Sequence, residues 1–258
     1  MCMAKESRRR YLAAPPHWPP CECCGYALAA SGLGHTTSLR TQERGGPPIV
    51  EATEAMSKSN RRVERAPMTE DEIRSATVGE LERLSGPTQI VDYDPRWPEL
   101  FQREAGRILE ALGEPALLVE HVGSTAVPGL AAKPRIDIVL VVADSANESA
   151  YLPALAAAGY TLRVREPHWY QHRMLRGADT DINLHVFSAG CPEVDRMLCF
   201  RDWLRSNAAD RRLYERTKRA LAQRDWTYTQ NYADAKTAVV EEILSRARRY
   251  DTRCTSEG

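Results

Sequence analysis

The chain has 258 residues, its 35 Lys and Arg balance its 35 Asp and Glu, and 43% of its residues are hydrophobic. This composition allows a packed core in one or two domains, and the zero net charge argues against a basic surface that would attract nucleic acid or anionic lipid. No apolar run approaches the roughly 18 residues that a membrane span needs, and no apolar segment follows the basic start as in a secretory signal. We therefore expect a cytoplasmic protein that binds neither membranes nor nucleic acid.

The first 67 residues differ from the rest of the chain. They hold an excess of basic residues and several Pro and Gly pairs, and they show no sustained hydrophobic periodicity. Such a segment buries too little apolar surface to offset the entropy of ordering it. We therefore expect residues 1–67 to form a disordered leader. The alternative that stays open is a translation start at Met56 or Met68.

One dense cysteine cluster, formed by Cys21, Cys23 and Cys24, lies in this leader. Two interpretations stay open: a zinc site that His17 or His35 completes, or chance cysteines in an unstructured segment. The chain lacks the second Cys-x-x-Cys pair that structural zinc sites ordinarily use.

Helix-capping signals occur at two places in the rest of the chain. Thr69 with Glu72, and Ser145 with Glu148, have the spacing of a capping box. The first pair predicts the start of a short helix over 69–84, and the second predicts the start of a helix that ends at Gly159.

Hydrophobic periodicity predicts helices and strands that alternate along residues 88–248. Asp94 and Pro95 predict the start of a helix that continues to Leu112. Strands are expected at 89–93, 117–121, 136–142, 160–164, 172–176 and 182–187, and three C-terminal helices at 193–206, 210–224 and 231–248. This order predicts an α+β fold with a mixed β-sheet, flanking helices and a C-terminal helical segment.

The most informative motif is the Gly123-Ser124 turn, which precedes an apolar strand that carries Asp137. A small turn lets a phosphate approach backbone amides, and a strand carboxylate can hold a divalent metal against that phosphate. Asp137 lies between two isoleucines, where a charge without a partner is costly. It is therefore either a metal ligand that faces the turn or a structural carboxylate paired with Arg135 or Lys133.

The stretch His-Val-Gly-Ser-Thr-Ala-Val-Pro-Gly-Leu-Ala-Ala-Lys-Pro at 121–134, followed by Ile-Asp-Ile at 136–138, resembles the signature of the GrpB family. That family is a nucleotidyltransferase-like group, and the resemblance implies a nucleotidyltransferase-like fold over residues 88–248. Further segments that resemble the family are 183–187, 200–205, 214–218 and 232–236. The family also occurs fused to dephospho-CoA kinase, but this chain has no Gly-x-x-x-x-Gly-Lys-[Ser/Thr] loop.

The acidic motif of the superfamily is incomplete in this chain. Its pattern is Gly-Ser followed by Asp-x-Asp or Asp-x-Glu, and position 139 is Val. The resemblance implies Mg²⁺ as the cofactor and a role for Asp137. The candidate metal ligands are Asp137 and Asp181, and the candidate catalytic residues are Asp137, Asp181 and His185. Asp181 shares a strand face with Asn183 and His185 by alternation, or it is a turn residue. His185 is a metal ligand, a general base or a hydrogen-bonded residue of the sheet.

Candidate phosphate- and nucleotide-binding residues surround the turn: Gly123, Ser124, His121, Lys133, Tyr232 and Lys236. His121 contacts phosphate or braces the turn, and Lys133 neutralises phosphate or is exposed to solvent. Tyr232 and Lys236 are spaced i,i+4 and share a helix face. Strand alternation also predicts that one or two of four strand arginines face the cleft, namely Arg163, Arg165, Arg173 and Arg176.

Two functions agree with these residues. The first is a nucleotidyltransferase-like enzyme that binds a nucleoside triphosphate with Mg²⁺ and transfers a nucleotidyl group to a small molecule. The alternative is a non-catalytic module that binds a nucleotide or a CoA precursor, which the apolar Val139 favours. The sequence identifies neither the acceptor nor the oligomeric state.

The leader generates the first testable prediction. A chain that starts near Met68 should fold with unchanged stability, because residues 1–67 offer no periodic apolar face to the rest of the protein. Thermal and denaturant melts of the two forms check this. Loss of soluble, cooperatively melting protein on truncation would contradict it.

Overall fold

A computed structural model of the chain describes residues 66–84 and 86–254, and the side chains up to residue 250. The predictions about a disordered leader and about zinc at Cys21, Cys23 and Cys24 therefore concern residues outside those described. Among the described helices, none has the length and the apolar character needed to cross a bilayer.

The described residues form an α+β structure. Its α-helices are α1 (Glu70–Ala76), α2 (Trp97–Leu112), α3 (Leu152–Ala157), α4 (Pro192–Ser206), α5 (Ala208–Ala222), α6 (Thr229–Asp234) and α7 (Thr237–Cys254). Its strands are β1 (Leu118–Val122), β2 (Ile136–Val142), β3 (Thr161–Glu166), β4 (His172–Arg176) and β5 (Ile182–Ser188). Short 3₁₀ turns at Ser124–Ala126 and Glu148–Ala150 lie between these elements.

The five strands form one mixed sheet in the order β1-β2-β5-β4-β3. The central strands β2 and β5 are parallel, and the other neighbours are antiparallel. The register of the parallel pair places Asp137 beside Asn183 and Val139 beside His185. Because β2 is covered on both faces, its near-continuous apolar run is the pattern expected of a central strand.

Alternate residues of β2 enter two different apolar clusters. Ile136, Ile138 and Leu140 pack with residues of α2 and with Leu155 of α3 on one face. Val139 and Val141 pack on the other face, together with Phe187 of β5 and Val194 of α4. The C-terminal helices α4, α5 and α7 also pack on the loop at Val127 and Leu130, which leads from the Gly123-Ser124 turn towards β2.

The predicted α+β class and mixed sheet are confirmed. The Thr69–Glu72 capping box is present, but its helix ends at Ala76, because Thr77 becomes extended and bridges to Val164 of β3. The strand expected at 89–93 is reduced to a bridge between Val91 and Ala132.

Two helix predictions are wrong in detail. Ser145 does not cap a helix with Glu148, because the Ser145 hydroxyl and backbone N–H bond Ser188 Oγ at 2.9 Å and Glu148 binds Arg165 and Arg173. The helix expected at 231–248 is broken: α6 ends at Asp234, and α7 begins at Thr237.

The first helix is tied to α6 across a long sequence separation. The backbone N–H of Met68 donates to Asp234 Oδ2 at 2.9 Å, and the Tyr228 hydroxyl donates to Glu70 Oε1 at 2.9 Å. These bonds attach the first described residues to the C-terminal helical segment.

A buried carboxylate on α2 is hydrogen-bonded to residues that directly precede β3 and β5. Glu104 has 0% exposure, and its oxygens accept hydrogen bonds from the Tyr160 hydroxyl and the Thr180 hydroxyl, both at 2.8 Å. Arg107 and Arg103 lie 3.8 Å and 3.7 Å from the same carboxylate. The charge is tolerated in the core because hydrogen bonds and cations surround it.

Removal of one of these donors should lower stability. Tyr160→Phe leaves a buried carboxylate with one hydrogen bond fewer, and we expect the free energy of unfolding to fall by about 1–3 kcal/mol. Tyr250→Phe is the matched control, because Tyr250 is largely exposed and its change should stay within about 0.5 kcal/mol. Urea melts measure both, and equal midpoints for the two variants would contradict the role of Glu104.

Candidate functional site

A cleft with a volume of about 530 Å³ lies between the first residues of β2 and β5 and the C-terminal helices. The Gly123-Ser124 turn forms one wall. The polar side chains and turn residues that line the cleft include Gly123, Ser124, Thr125, Lys133, Arg135, Asp137, Asn183, His185, Tyr214, Lys218, Tyr232 and Lys236. Three further carboxylates, Glu193, Asp234 and Glu241, also line it, as do Arg196, Thr229, Gln230 and Thr237.

The turn depends on a glycine at position 123. Gly123 has φ +70°, and a Cβ there would collide with the Asp137 carboxylate. A side chain is therefore excluded both by the left-handed backbone and by the close approach of the turn to β2. The turn backbone and the strand carboxylate form one continuous surface at the floor of the cleft.

Residues beneath the turn hold it in place. Thr125 donates its hydroxyl to the carbonyl of Arg135 at 3.3 Å and lies 3.0 Å from His121 Nε2. The His121 ring stacks on Phe101 with ring centroids 4.8 Å apart, and burial lowers the pKa of His121 to about 4. An uncharged imidazole in this position packs under the turn.

Asp137 is the strand carboxylate that lines the cleft. The Asn183 amide donates to its Oδ1 at 2.7 Å, and His185 Nε2 lies 3.8 Å from the same oxygen. Burial opposes ionisation of Asp137, but His185, Asn183 and the charge of Lys236 outweigh it, and its pKa lies below the usual range. The structural alternative, an ion pair with Arg135, is not formed, because Arg135 binds Asp181.

A row of side chains continues from Asp137 into the sheet. His185 Nδ1 lies 3.0 Å from His172 Nε2, and His172 Nδ1 lies 2.7 Å from Glu166 Oε2. The two imidazoles are nearly parallel, with ring centroids 5.2 Å apart. His172 and Glu166 are buried, whereas His185 lines the cleft.

Cationic side chains crowd the opposite wall. Lys218 is buried, donates to the carbonyl of Ala131 at 2.5 Å and lies 4.8 Å from the centroid of the Tyr214 ring. Burial and the charge of Lys236 lower the pKa of Lys218 to about 7. Burial and the charge of Arg135 also lower the pKa of Lys133.

The third lysine, Lys236, lies 4.6 Å from the centroid of the Tyr232 ring. Within the part of the chain that the structure describes, none of the three lysines forms an ion pair with a carboxylate.

Most of the sequence-predicted residues meet in this cleft: Gly123, Ser124, Lys133, Asp137, His185, Tyr232 and Lys236. Two do not line it. His121 lies buried beneath the turn, and Asp181 accepts hydrogen bonds from Arg135 at 2.6 Å and from Arg176 at 3.2 Å. The binding role of His121 and the metal-ligand and catalytic roles of Asp181 stay predictions.

The strand arginines are placed differently from the prediction. Arg163 binds Glu82, Arg165 and Arg173 bind Glu148, and Arg176 binds Asp181; these arginines do not line the cleft. Ion pairs with these carboxylates hold the four guanidinium groups outside the cleft.

Tyr214 was missed as a cleft residue, and Lys218 had little support from the sequence. Burial raises the pKa of Tyr214 to about 12, and its hydroxyl interacts with Ser124. The signal that could have found both is a repeated spacing. Lys218 follows Tyr214 by four positions on α5, and Lys236 follows Tyr232 by the same spacing in the sequence, although α6 ends at Asp234, before Lys236.

Comparison with known proteins identifies the family to which this chain is similar. The family model described as GrpB protein matches residues 87–246. The UPF0157 protein BH1888 of Halalkalibacterium halodurans is 60% identical over 181 residues, which cover 70% of this chain and 93% of that protein. The crystal structure of the conserved protein GrpB from Enterococcus faecalis matches with a TM-score of 0.56 and 32% identity, and the match covers 63% of this chain and 99% of that one.

A longer protein also contains a similar segment. A dephospho-CoA kinase of Mycolicibacterium paratuberculosis is 35% identical over 164 residues, which cover 54% of this chain and 40% of the kinase. The similarity therefore spans less than half of that protein.

The lowered pKa of Lys218 predicts a dependence of stability on pH. Between the folded value of about 7 and the ordinary value of 10.5, only the unfolded chain holds this proton, so the free energy of unfolding should rise with pH. Lys218→Met removes the effect. The stability of wild type relative to this variant should therefore rise by about 2–3 kcal/mol from pH 7 to pH 9. Urea melts across that range measure the difference, and parallel pH profiles would show that Lys218 keeps an ordinary pKa.

Proposed function

The chain is a member of the GrpB family, and we propose that its cleft binds a nucleotide or a similar phosphate-bearing small molecule. The observation that carries the proposal is that Lys133, Lys218 and Lys236 line the same cleft as the Gly123-Ser124 turn. None of these lysines forms an ion pair with a carboxylate among the described residues.

Phosphate is the anion that this arrangement suits best. A tight glycine turn lets an anion approach backbone amides closely, and lysines supply point charges around it. The pKa values of Lys133 and Lys218 are lowered by burial and by neighbouring cations, so the cations of the cleft repel one another. A phosphate between them would relieve this repulsion.

The rest of the lining suits the organic part of such a ligand. Ile90, Trp169, Phe200 and Tyr232 contribute apolar and aromatic surface to the same cleft. Its volume of about 530 Å³ lies within the range of roughly 300–1,000 Å³ that small-molecule sites occupy. A nucleoside or a CoA-type group attached to the phosphate therefore has an apolar wall to contact.

Nucleotidyl transfer to a small molecule is the reaction that the turn and Asp137 suggest. Mg²⁺ would supply charge neutralisation at the phosphates, and in a two-metal site several carboxylates hold it. The described residues do not offer that set: Val139 is buried in an apolar cluster, and the Asp181 carboxylate is bound by Arg135 and Arg176. Among the described residues, the cleft therefore does not fit a pair of Mg²⁺ ions.

A non-catalytic module that binds a nucleotide or a CoA precursor is the second candidate. The burial of Val139 favours it, because a second carboxylate at this position would lie among Val122, Val141 and Phe187. The similarity to a dephospho-CoA kinase supports CoA precursors as ligands to test.

A thermal-shift screen of nucleotides and CoA precursors, with and without Mg²⁺, tests the proposal. A ligand that binds the native state raises the melting temperature. Lys133→Met and Lys236→Met should each weaken binding about tenfold, as expected for the loss of a charge-assisted phosphate contact. Arg212→Met, an exposed position on α5 outside the cleft lining, is the matched control and should leave affinity unchanged. No stabilising ligand, or equal affinity in the lysine variants, would refute phosphate binding in this cleft.

Two carboxylate variants separate the enzyme from the binding module. Mg²⁺-dependent stabilisation that is lost in Asp137→Asn would support transfer chemistry, whereas stabilisation without metal would support the module. Asp181→Asn is the matched change. Loss of the Mg²⁺ effect in this variant as well would support the two-carboxylate arrangement predicted from the sequence.

A further inference from the structure

We infer that the side-chain amine of Lys218 forms a reversible imine with a phosphate-bearing aldehyde or ketone that binds in the cleft. The inference rests on the proposed function, because the phosphate of such a compound would bind at the Gly123-Ser124 turn. It narrows the ligand to small phosphorylated carbonyl compounds, and it gives Lys218 a chemical role in addition to its charge.

Lysine is rare in this chain and concentrated in the cleft. The sequence has five lysines and 30 arginines. The lysines among the described residues are Lys133, Lys218 and Lys236, and all three line the cleft. A guanidinium group stays charged and binds phosphate with two hydrogen bonds, so arginine would suit a site that needs only positive charge. A lysine amine differs because it can lose its proton and act as a nucleophile.

The surroundings of Lys218 favour an uncharged amine. The residue is 2% exposed, and its hydrogen-bond acceptor among the described residues is the carbonyl of Ala131, with the Tyr214 ring centroid 4.8 Å from Nζ. An ammonium group has three hydrogens to donate, and burying it with one acceptor and no carboxylate is costly. An uncharged amine in the same position can donate to Ala131 and keep a lone pair.

The neighbouring charges act in the same direction as this burial. Burial and the charge of Lys236 lower the pKa of Lys218 to about 7, and they outweigh Glu215 and Asp137, which favour the charged form. Roughly half of this amine is therefore uncharged at neutral pH, whereas an ordinary lysine is almost wholly charged. Lysines that form imines in enzymes are activated in this way, by burial or by a neighbouring cation.

The amine lies against the loop that carries the phosphate-binding turn. Ala131, which accepts its hydrogen bond, belongs to the segment between the turn and β2. Tyr214, four positions before Lys218 on α5, interacts through its hydroxyl with Ser124. A compact ligand can therefore contact the turn with its phosphate and the amine with its carbonyl carbon.

Imine formation needs no group beyond the amine and the ligand. The uncharged nitrogen adds to the carbonyl carbon, and a C–N bond forms. The carbonyl oxygen then leaves as water, which takes both amine hydrogens, and a C=N bond remains. Hydrolysis reverses the step and returns the free amine, while Lys133 and Lys236 stay available to hold the phosphate.

The test uses pyridoxal 5′-phosphate, which carries both an aldehyde and a phosphate, as the probe. The full chain is incubated with the probe, the imine is reduced with borohydride, and the modified lysines are identified by peptide mass spectrometry. We expect Lys218 to carry at least about fivefold more label than Lys133 or Lys236, because those two are half-buried and a fully buried amine is the more strongly activated.

Two matched compounds and one variant separate imine formation from phosphate binding. Pyridoxine 5′-phosphate, which has an alcohol instead of the aldehyde, should bind and leave no label. Pyridoxal, which lacks the phosphate, should label Lys218 at least about tenfold less than pyridoxal 5′-phosphate, as expected for the loss of a charge-assisted contact. Lys218→Arg keeps the charge, so it should abolish the imine absorbance band and still bind pyridoxine 5′-phosphate. Near-ultraviolet circular dichroism verifies its fold, and the peptide map of the unaltered chain decides the matter if the variant does not fold.

Two outcomes would overturn the inference: a chain in which Lys218 carries no label, or label spread equally over the three lysines of the cleft. If that chain still binds pyridoxine 5′-phosphate, imine formation fails and the proposed function stands. Equal labelling of Lys218 by pyridoxal and by pyridoxal 5′-phosphate, without binding of pyridoxine 5′-phosphate, would instead refute the phosphate site and with it the proposed function.

Discussion

The parallel pairing of β2 with β5 is the constraint on which the site depends. Parallel strands run in the same direction, so their first residues meet at one edge of the sheet, and the register fixes Asp137 beside Asn183. The same pairing directs the apolar residues of both strands into the core. The two strands whose apolar residues are buried in the core therefore also carry the polar residues of the cleft. Packing of the core fixes the positions of these polar residues.

The close approach of the turn to β2 adds a second constraint. Because Gly123 lies against the Asp137 carboxylate, the turn cannot move towards the strand, and Thr125 and His121 fill the space beneath it. The shape of the cleft floor is thus determined by packing, whereas three of the cations that line the cleft are lysines on separate segments. The core tolerates Glu104 because neighbouring donors satisfy it, but the cleft lysines have no such carboxylate partners among the described residues.

The sequence predicted much of this arrangement for a physical reason. The turn, Asp137 and the strand that follows it are local in sequence, so their residue types report their geometry directly. The limits of the prediction concern contacts between distant segments. Nothing near Asp181 indicates that Arg135 and Arg176 would hold it, and only the pairing of β4 with β5 places His172 against His185.

Side-chain periodicity has the same limit. It identifies the face of a strand or a helix on which a residue lies. It does not identify the charged side chain of another segment that binds the residue there. The arginines of β3 and β4 still lie outside the cleft, because the carboxylates of Glu82, Glu148 and Asp181 bind them there. The helix break between Asp234 and Thr237 also has no Pro or Gly to mark it in the sequence.

The hydrogen bond between the Met68 backbone and Asp234 has a consequence for how the protein can be handled. Asp234 is itself a lining residue of the cleft, so the chain enters its first helix at the rim of the proposed binding site. An affinity tag, a fluorophore or a surface linker attached directly before Met68 would begin at this rim and compete with ligand for access. Attachment at Gln102 or Glu110, exposed positions on the helix that covers the opposite face of the sheet, would leave the entrance open.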